Sequence, residues 1–300
     1  LPREVAGFDA VEVLVIDDGS TDATVEVARA AGVDHILRLP HNEGLARAYS
    51  AGLEAALMAG ADVIVNVDAD NQYDAGAIPD LTRPILEGRA QIVVGARPIA
   101  EIESFSPLKR RLQRLGSWAV RRLSGTDVPD APSGFRAVTA EAATRLYVFS
   151  RYSYTLETLI QAGRLGLPVA WVPVGVNPPT RPSRLMRSMS GYILRSGVTM
   201  ARVFVLYHPL RIFAVLAAVT ALPGLFVFLR FLVFYFQGEG GGNIQSLVIG
   251  GALLAIAAIM FVGGVLADLI AANRILLTEI RGRMLRERVA RERGARARDR

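Results

Sequence analysis

The sequence predicts an α/β domain on a mostly parallel sheet, followed by amphipathic interfacial helices and a two-helix transmembrane hairpin. Three observations carry this. Short apolar runs rich in β-branched residues alternate with helix-length amphipathic stretches through the first 180 or so residues, as in repeated strand-helix units. Two long uncharged runs follow, one from Ile212 to Leu229 and one ending at Ala267. The net charge of +6 is carried by the last stretch, where ten arginines stand against four acids between Arg274 and Arg300.

Composition narrows the chemistry. Without cysteine there is no disulfide framework, zinc knuckle or thiol nucleophile. Three histidines, none at metal spacing, leave His35 and His41 as surface or loop residues. A basic terminus could bind nucleic acid, but after an apolar span it reads more simply as an anchor facing anionic headgroups. No nucleic-acid partner is expected.

In chain order, Val11 to Ile16 reads as a strand. Asp17-Asp18-Gly19-Ser20 turns it into a helix from about Asp22 to Ala31, capped by Ser20, Thr21 or Asp22. Turn chemistry alone accounts for these acids. At a strand's carboxyl end, beside the strand that carries Asp68, Asp17 or Asp18 could equally accept hydrogen bonds from a base or ribose. A second strand at His35 to Leu39 leads to Asn42, a candidate cap for an Ala-rich helix reaching about Ala59, with Gly44, Ala48 and Ala51 as a small-residue face.

Val63 to Val67 reads as a buried strand delivering Asp68, Asp70 and Gln72 at its carboxyl end. Two carboxylates one residue apart can share a hard divalent cation with a diphosphate, and Gln72 could add a neutral oxygen, a shell suited to Mg²⁺. On spacing alone, a solvated loop explains the same residues. A helix over about Ala77 to Glu87 and a strand over Gln91 to Gly95 follow, ending at Ala96-Arg97. No GxGxxG follows a strand, which disfavours a dinucleotide-dependent dehydrogenase.

Ile16 to Thr24, Asn42-Glu43-Gly44, Asp68-Ala69-Asp70-Asn71-Gln72 and Val94-Gly95-Ala96-Arg97 together resemble family 2 glycosyltransferases of the GT-A fold. More narrowly they are similar to the dolichol-phosphate mannose synthase branch, the polyprenyl-phosphate glycosyltransferases. Asp130-Ala131-Pro132-Ser133-Gly134-Phe135-Arg136 resembles that branch's DxxSGFR segment, between donor and acceptor, and Arg181 to Arg184 resembles its R..GxSK element with Arg184 in place of Lys and a shorter spacing. The resemblance implies a metal, Mg²⁺ or Mn²⁺, at Asp68, Asp70 and Gln72. It implies a nucleotide-sugar donor held by Asp17, Asp18, Asp68, Asp70 and Arg97; a UDP-linked donor is favoured over a GDP-linked one, and the nucleobase is left open. It implies a polyprenyl or dolichyl phosphate acceptor held by Arg110, Arg114, Ser133, Arg181 and Arg184. Asp70, Arg97, Arg110, Ser133 and Arg136 are its catalytic candidates. The family usually opens with a further strand and acidic turn, and no stretch before Asp17 matches them, so an N-terminal strand is expected to be missing here.

Pro107 to about Leu123 reads as a helix with Arg110, Arg114 and Arg121 gathered opposite an apolar stripe, suited to a membrane surface or a phosphate-bearing acceptor. A solvated surface helix would look similar. Residues 1–182 therefore form the GT-A domain, 183–207 an amphipathic helix in the interface plane, 208–272 two spans at about 210–236 and 244–268, and 273–300 a basic tail. Pro223-Gly224 is expected to kink the first span. Arg202 and Arg211 before the hairpin and the arginines after it, with no Lys or Arg in the connecting loop, predict a multi-pass protein of the plasma membrane with its catalytic domain and both termini cytoplasmic. A homo-oligomer is allowed for. The rival readings are a processive polysaccharide synthase, which needs a QxxRW element where this chain has Gln113-Arg114-Leu115, and a non-catalytic membrane scaffold on the same fold.

Overall fold

A computed structural model describes residues 1–98, 116–118, 120–122, 124–148, 154–177, 205, 208–238 and 240–298. The chain forms two compact units: Leu1–Ile193 with Thr278–Arg300, and Leu194–Leu277.

In the first unit, β1 (Leu14–Asp17), α1 (Thr24–Ala30), β2 (His35–Arg38), α2 (Leu45–Ala59) and β3 (Val63–Asn66) lead through a short 3-10 turn (Ala75–Ala77) to α3 (Ile78–Leu86) and β4 (Ile92–Ala96). After residues outside the description come β5 (Arg136–Thr139), α4 (Ala140–Arg145), α5 (Thr155–Arg164) and β6 (Val169–Pro173). Four strands form one sheet in the order β3-β5-β4-β6. β4 and β6 are parallel, while β5 runs antiparallel between β3 and β4.

Strand alternation builds two apolar layers from this sheet. Ile92 and Val138 join Tyr49, Leu53 and Leu57 of α2 and Ala142 and Ala143 of α4. Val93 and Ala137 join Ile78 and Leu81 of α3, together with Phe135.

One expectation is corrected. β1 does not lie beside β3: it pairs in parallel with β2 as a separate two-stranded sheet. Helix α2 connects the two sheets. Its Gly52 meets β1 so closely that a Cβ there would lie 2.2 Å from Ile16 Cδ1, while its Tyr49, Leu53 and Leu57 enter the core of the larger sheet. The close approach to β1 is therefore made by Gly52.

The second unit contains α6 (Pro209–Phe236) and the first part of α7, a helix that runs unbroken from Ile244 to Arg298. Both are long and apolar enough to cross a membrane, with a mean hydropathy of 2.5 in each span. Leu222, Phe226, Ile259 and Val262 are among many exposed apolar side chains, a surface suited to lipid rather than water. The helices touch through glycines. A Cβ on Gly250 would sit 2.9 Å from the Phe228 backbone nitrogen and 3.1 Å from the Gly224 carbonyl oxygen, so the crossing depends on missing side chains. Helix α6 continues through Pro223. The expected interfacial helix at 183–207 lies outside the described residues apart from Val205, which is helical.

Residues from Thr278 onward, expected as a basic tail, belong to the first unit. Leu285 and Val289, one helical turn apart, are buried in the α2 and α4 cluster. Arg281 pairs with Glu54 at 3.3 Å and lies over the Tyr147 ring at 4.8 Å. Arg293 Nη2 donates to the carbonyls of Gly60 and Ala61, both at 3.1 Å, and to Asp62 Oδ1 at 3.0 Å, closing the carboxyl end of α2. Positions 281, 285, 289 and 293 form one helical stripe, and the domain occupies it.

Candidate active site

The reversed direction of β5 assembles the site. Because Arg136 pairs with both Asn66 of β3 and Val94 of β4, the segment entering β5 lies across the carboxyl ends of those two strands. Gly95 N donates to Phe135 O at 2.8 Å. Asp68, Arg97 and the 130–136 segment, far apart in sequence, thus meet at one end of the sheet.

The loop after β3 is tightly held. Asp70 Oδ1 accepts from the Gln72 N–H at 2.9 Å, and Asn71 has φ of 58°, the left-handed conformation that Asn tolerates. From the far side Asn177 fastens it: its N–H donates to Gln72 O at 2.9 Å and its Nδ2 to Asn71 O at 3.1 Å. Asp70 is exposed, whereas Asp68 is partly buried beside Gly134. Burial, and then the negative charge of Asp70, push the Asp68 carboxyl above the usual carboxylate range, while Arg97 and Arg136 pull it back.

Arg97 is committed to Asp130. Its Nε donates to Oδ2 at 2.7 Å, its Nη2 to Oδ1 at 3.1 Å and its backbone N–H to Oδ2 at 3.2 Å. Its Nη1 reaches Gln72 Oε1 at 3.4 Å, and its guanidinium carbon lies 5.8 Å from the Tyr73 ring centroid. Burial opposes the charge, but the Asp130 carboxylate more than offsets it and raises the pKa above that of an ordinary arginine. Gln72, expected as a metal ligand, is turned toward Arg97.

Ser133 and Arg136, both named as catalytic candidates, lie inside the domain. Ser133 is fully buried, its Oγ donating to Gly95 O at 2.6 Å. Arg136 is 1% exposed, with Nε on Ser133 O at 2.8 Å, Nη1 on Thr158 Oγ1 at 2.8 Å and Nη2 on Ala131 O at 2.7 Å. A guanidinium enclosed this way braces the 131–133 loop. Ser133 likewise ties this loop to β4.

The acidic turn after β1 is also internally engaged. Asp18 accepts the N–H groups of Glu43 and Gly44 at 2.8 and 3.0 Å, so Asp18, rather than Asn42, organises the start of α2. Asp17 accepts the Ser20 N–H at 2.9 Å, and hydrogen bonding from Ser20 holds its carboxyl below the usual range, helped by Arg38. Asp17 Oδ2 lies 3.2 Å from Arg38 Nε yet receives no hydrogen bond, a buried acceptor with capacity to spare. Arg121 faces Asp127 at 3.4 Å. Arg110, Arg114, Arg181 and Arg184 lie outside the described residues.

Three contributors escaped the sequence reading, Tyr73, Tyr154 and Asn177, and Asp130 was read only as the start of a motif and not as the partner of Arg97. Asn66 was the available signal. A polar residue inside the apolar run Val63 to Val67 needs buried partners, and its Nδ2 finds Gly134 O and Tyr154 Oη, both at 2.8 Å.

The α/β domain thus presents an acidic pair at a strand tip, beside an arginine-bearing loop. The model for glycosyl transferase family 2 matches residues 4–146. The chain is 31% identical over 198 residues to an uncharacterized glycosyltransferase of Mycobacterium tuberculosis, covering 65% of this chain and 87% of that one. It is 27% identical over 173 residues to an undecaprenyl-phosphate mannosyltransferase of Micrococcus luteus (54% and 70% of the two chains). It is 30% identical over 187 residues to a UDP-N-acetylglucosamine–dolichyl-phosphate N-acetylglucosaminyltransferase of Methanococcus voltae (54% and 73%). The chain belongs to glycosyl transferase family 2.

Proposed function

We propose that this protein transfers a single sugar from a nucleotide sugar to a polyprenyl or dolichyl phosphate at the cytoplasmic face of a membrane. The observation that carries the reading is the union, in one chain, of the Asp68-Asp70 strand tip with two lipid-suited helices. The names of the Micrococcus and Methanococcus relatives, both acting on a lipid-linked phosphate, support it. The excess of arginine flanking the hairpin supports the cytoplasmic orientation.

In this reading a phosphate oxygen of the acceptor attacks the anomeric carbon as the bond to the donor's diphosphate breaks, with inversion. The acceptor is anionic near neutral pH, so no strong general base is required. The turn after β1, locked by Asp18, is the proposed seat of the nucleoside, and Asp17, buried and paired with Arg38, holds that turn from within. Arg110, Arg114, Arg181 and Arg184 remain the proposed grip on the acceptor phosphate. Arg97, neutralised by Asp130, orients the donor loop through Gln72 more than it supplies net charge.

The donor set fits a divalent cation: two hard carboxylates, one exposed and one whose charge is disfavoured by burial and by its neighbour, are relieved by positive charge. Asp68 and Asp70 would hold Mg²⁺ or Mn²⁺. When bound, the ion supplies Lewis acidity for the departing diphosphate. Incubating membranes carrying the protein with a panel of radiolabelled nucleotide sugars and polyprenyl phosphate, then extracting lipid, tests the function. Label in a chloroform-soluble glycolipid is expected, and label in a long polymer, or in neither, overturns the reading.

A further inference from the structure

We propose that Tyr154 and Gly134 form a seat that sets the position of the Asp68 carboxylate, making Tyr154 a positioning residue for the donor-metal site; this rests on the metal assignment above. A Cβ built on Gly134 would lie 2.8 Å from Asp68 Oδ2, 3.2 Å from Asp68 Oδ1 and 2.8 Å from Tyr154 Oη. Both carboxylate oxygens and the tyrosine hydroxyl therefore press on the same bare backbone position. No residue with a side chain fits there without moving the carboxylate.

The hydroxyl is itself held from two sides. Asn66 Nδ2 donates to it at 2.8 Å, and its own donation to Gly134 O is long, at 3.4 Å. The ring is stacked on Tyr49 with centroids 3.8 Å apart and planes within 10°. Tyr154 is 1% exposed, so it does not meet substrate directly. The chain of support runs from the Tyr49 stack through the Tyr154 hydroxyl to the wall against which Asp68 rests, and Asn66, two residues before Asp68, closes it.

Such support normally governs metal affinity, with losses of about 10- to 100-fold when it is removed. Tyr154→Phe keeps the ring stack and deletes only the hydroxyl. Titration of the detergent-solubilised full chain with Mn²⁺ alone, reading free ion by electron paramagnetic resonance, is expected to show Mn²⁺ binding weakened about 10-fold or more in Tyr154→Phe and in Gly134→Ala. Asp70→Ala should show none. The Mn²⁺ concentration for half-maximal donor turnover should rise in parallel, with kcat at saturating Mn²⁺ changed much less. Unchanged Mn²⁺ affinity in Tyr154→Phe, with Asp70→Ala still defective, overturns the seat and leaves the metal reading standing. Wild-type-like binding in Asp70→Ala overturns both. A lowered Tm without altered Mn²⁺ affinity marks a purely structural tyrosine and also overturns the proposal.

Discussion

Arg97 and Asp130 form a two-point ion pair, Nε to Oδ2 at 2.7 Å and Nη2 to Oδ1 at 3.1 Å, with the carboxylate wholly buried and the guanidinium side chain 10% exposed. The pair joins the residue after β4 to the start of the segment that crosses the strand tips. Removing one partner leaves an uncompensated buried charge, at about 3–5 kcal/mol. Asp130→Ala is expected to lower stability by that order in chemical unfolding, and Arg97→Met combined with Asp130→Leu to recover much of it.

The docked end of α7 predicts that the catalytic domain needs the chain's last helix. Leu285→Ala is expected to cost about 2–5 kcal/mol, and deletion from Thr278 onward to expose α2 and α4 to proteolysis or hydrogen exchange. A deletion protein as protected as the intact chain contradicts the docking.

For catalysis, Asp70→Ala should lower donor turnover by at least about 100-fold, since several kcal/mol of charge stabilisation is removed. Circular dichroism and Tm should stay near wild type, because Asp70 is exposed and its one described hydrogen bond is local.

Asp68 predicts a pH effect of definite sign. Its carboxyl titrates above the unfolded value of 3.8, so the native state binds protons more readily than the unfolded chain. Its contribution to metal-free stability is therefore favourable below the unfolded value and is lost as pH rises through the higher native one. Asp68→Asn should raise the metal-free Tm at neutral pH while abolishing Mn²⁺ binding, and a lowered Tm contradicts the assignment.

At the hairpin, Gly250→Leu should disrupt the contact between α6 and α7, because the added side chain meets the Phe228 nitrogen and Gly224 oxygen, which are backbone atoms with no rotamer to change. Gly251, with open space around it, should accept Leu. Disulfide crosslinking between cysteines introduced on the two helices distinguishes the two variants.

Much of the site was legible because strand and turn signals are local. The tip of β3, with Asp68 and Asp70, and the end of β4, with Arg97, follow from apolar runs that stop at polar residues. What those residues touch did not follow. Asp130 and Arg97 are both polar residues at loop positions, and only pairing across 33 positions makes one the partner of the other. Arg136 entered as a candidate through the likeness of its segment to a family motif, and its enclosure is visible only in the fold.

By itself the sequence determined the repeated strand-helix units, the acidic strand tip, the family and the two long apolar helices, since each depends on residues within a turn or a strand of one another. Tertiary structure alone decided that β5 runs backwards between β3 and β4, that β1 leaves that sheet for β2, and that the arginine-rich end of α7 lies on the catalytic domain. Those outcomes depend on which buried surfaces and unpaired hydrogen-bonding groups meet across the fold, and a pattern along one chain does not encode that in any single window.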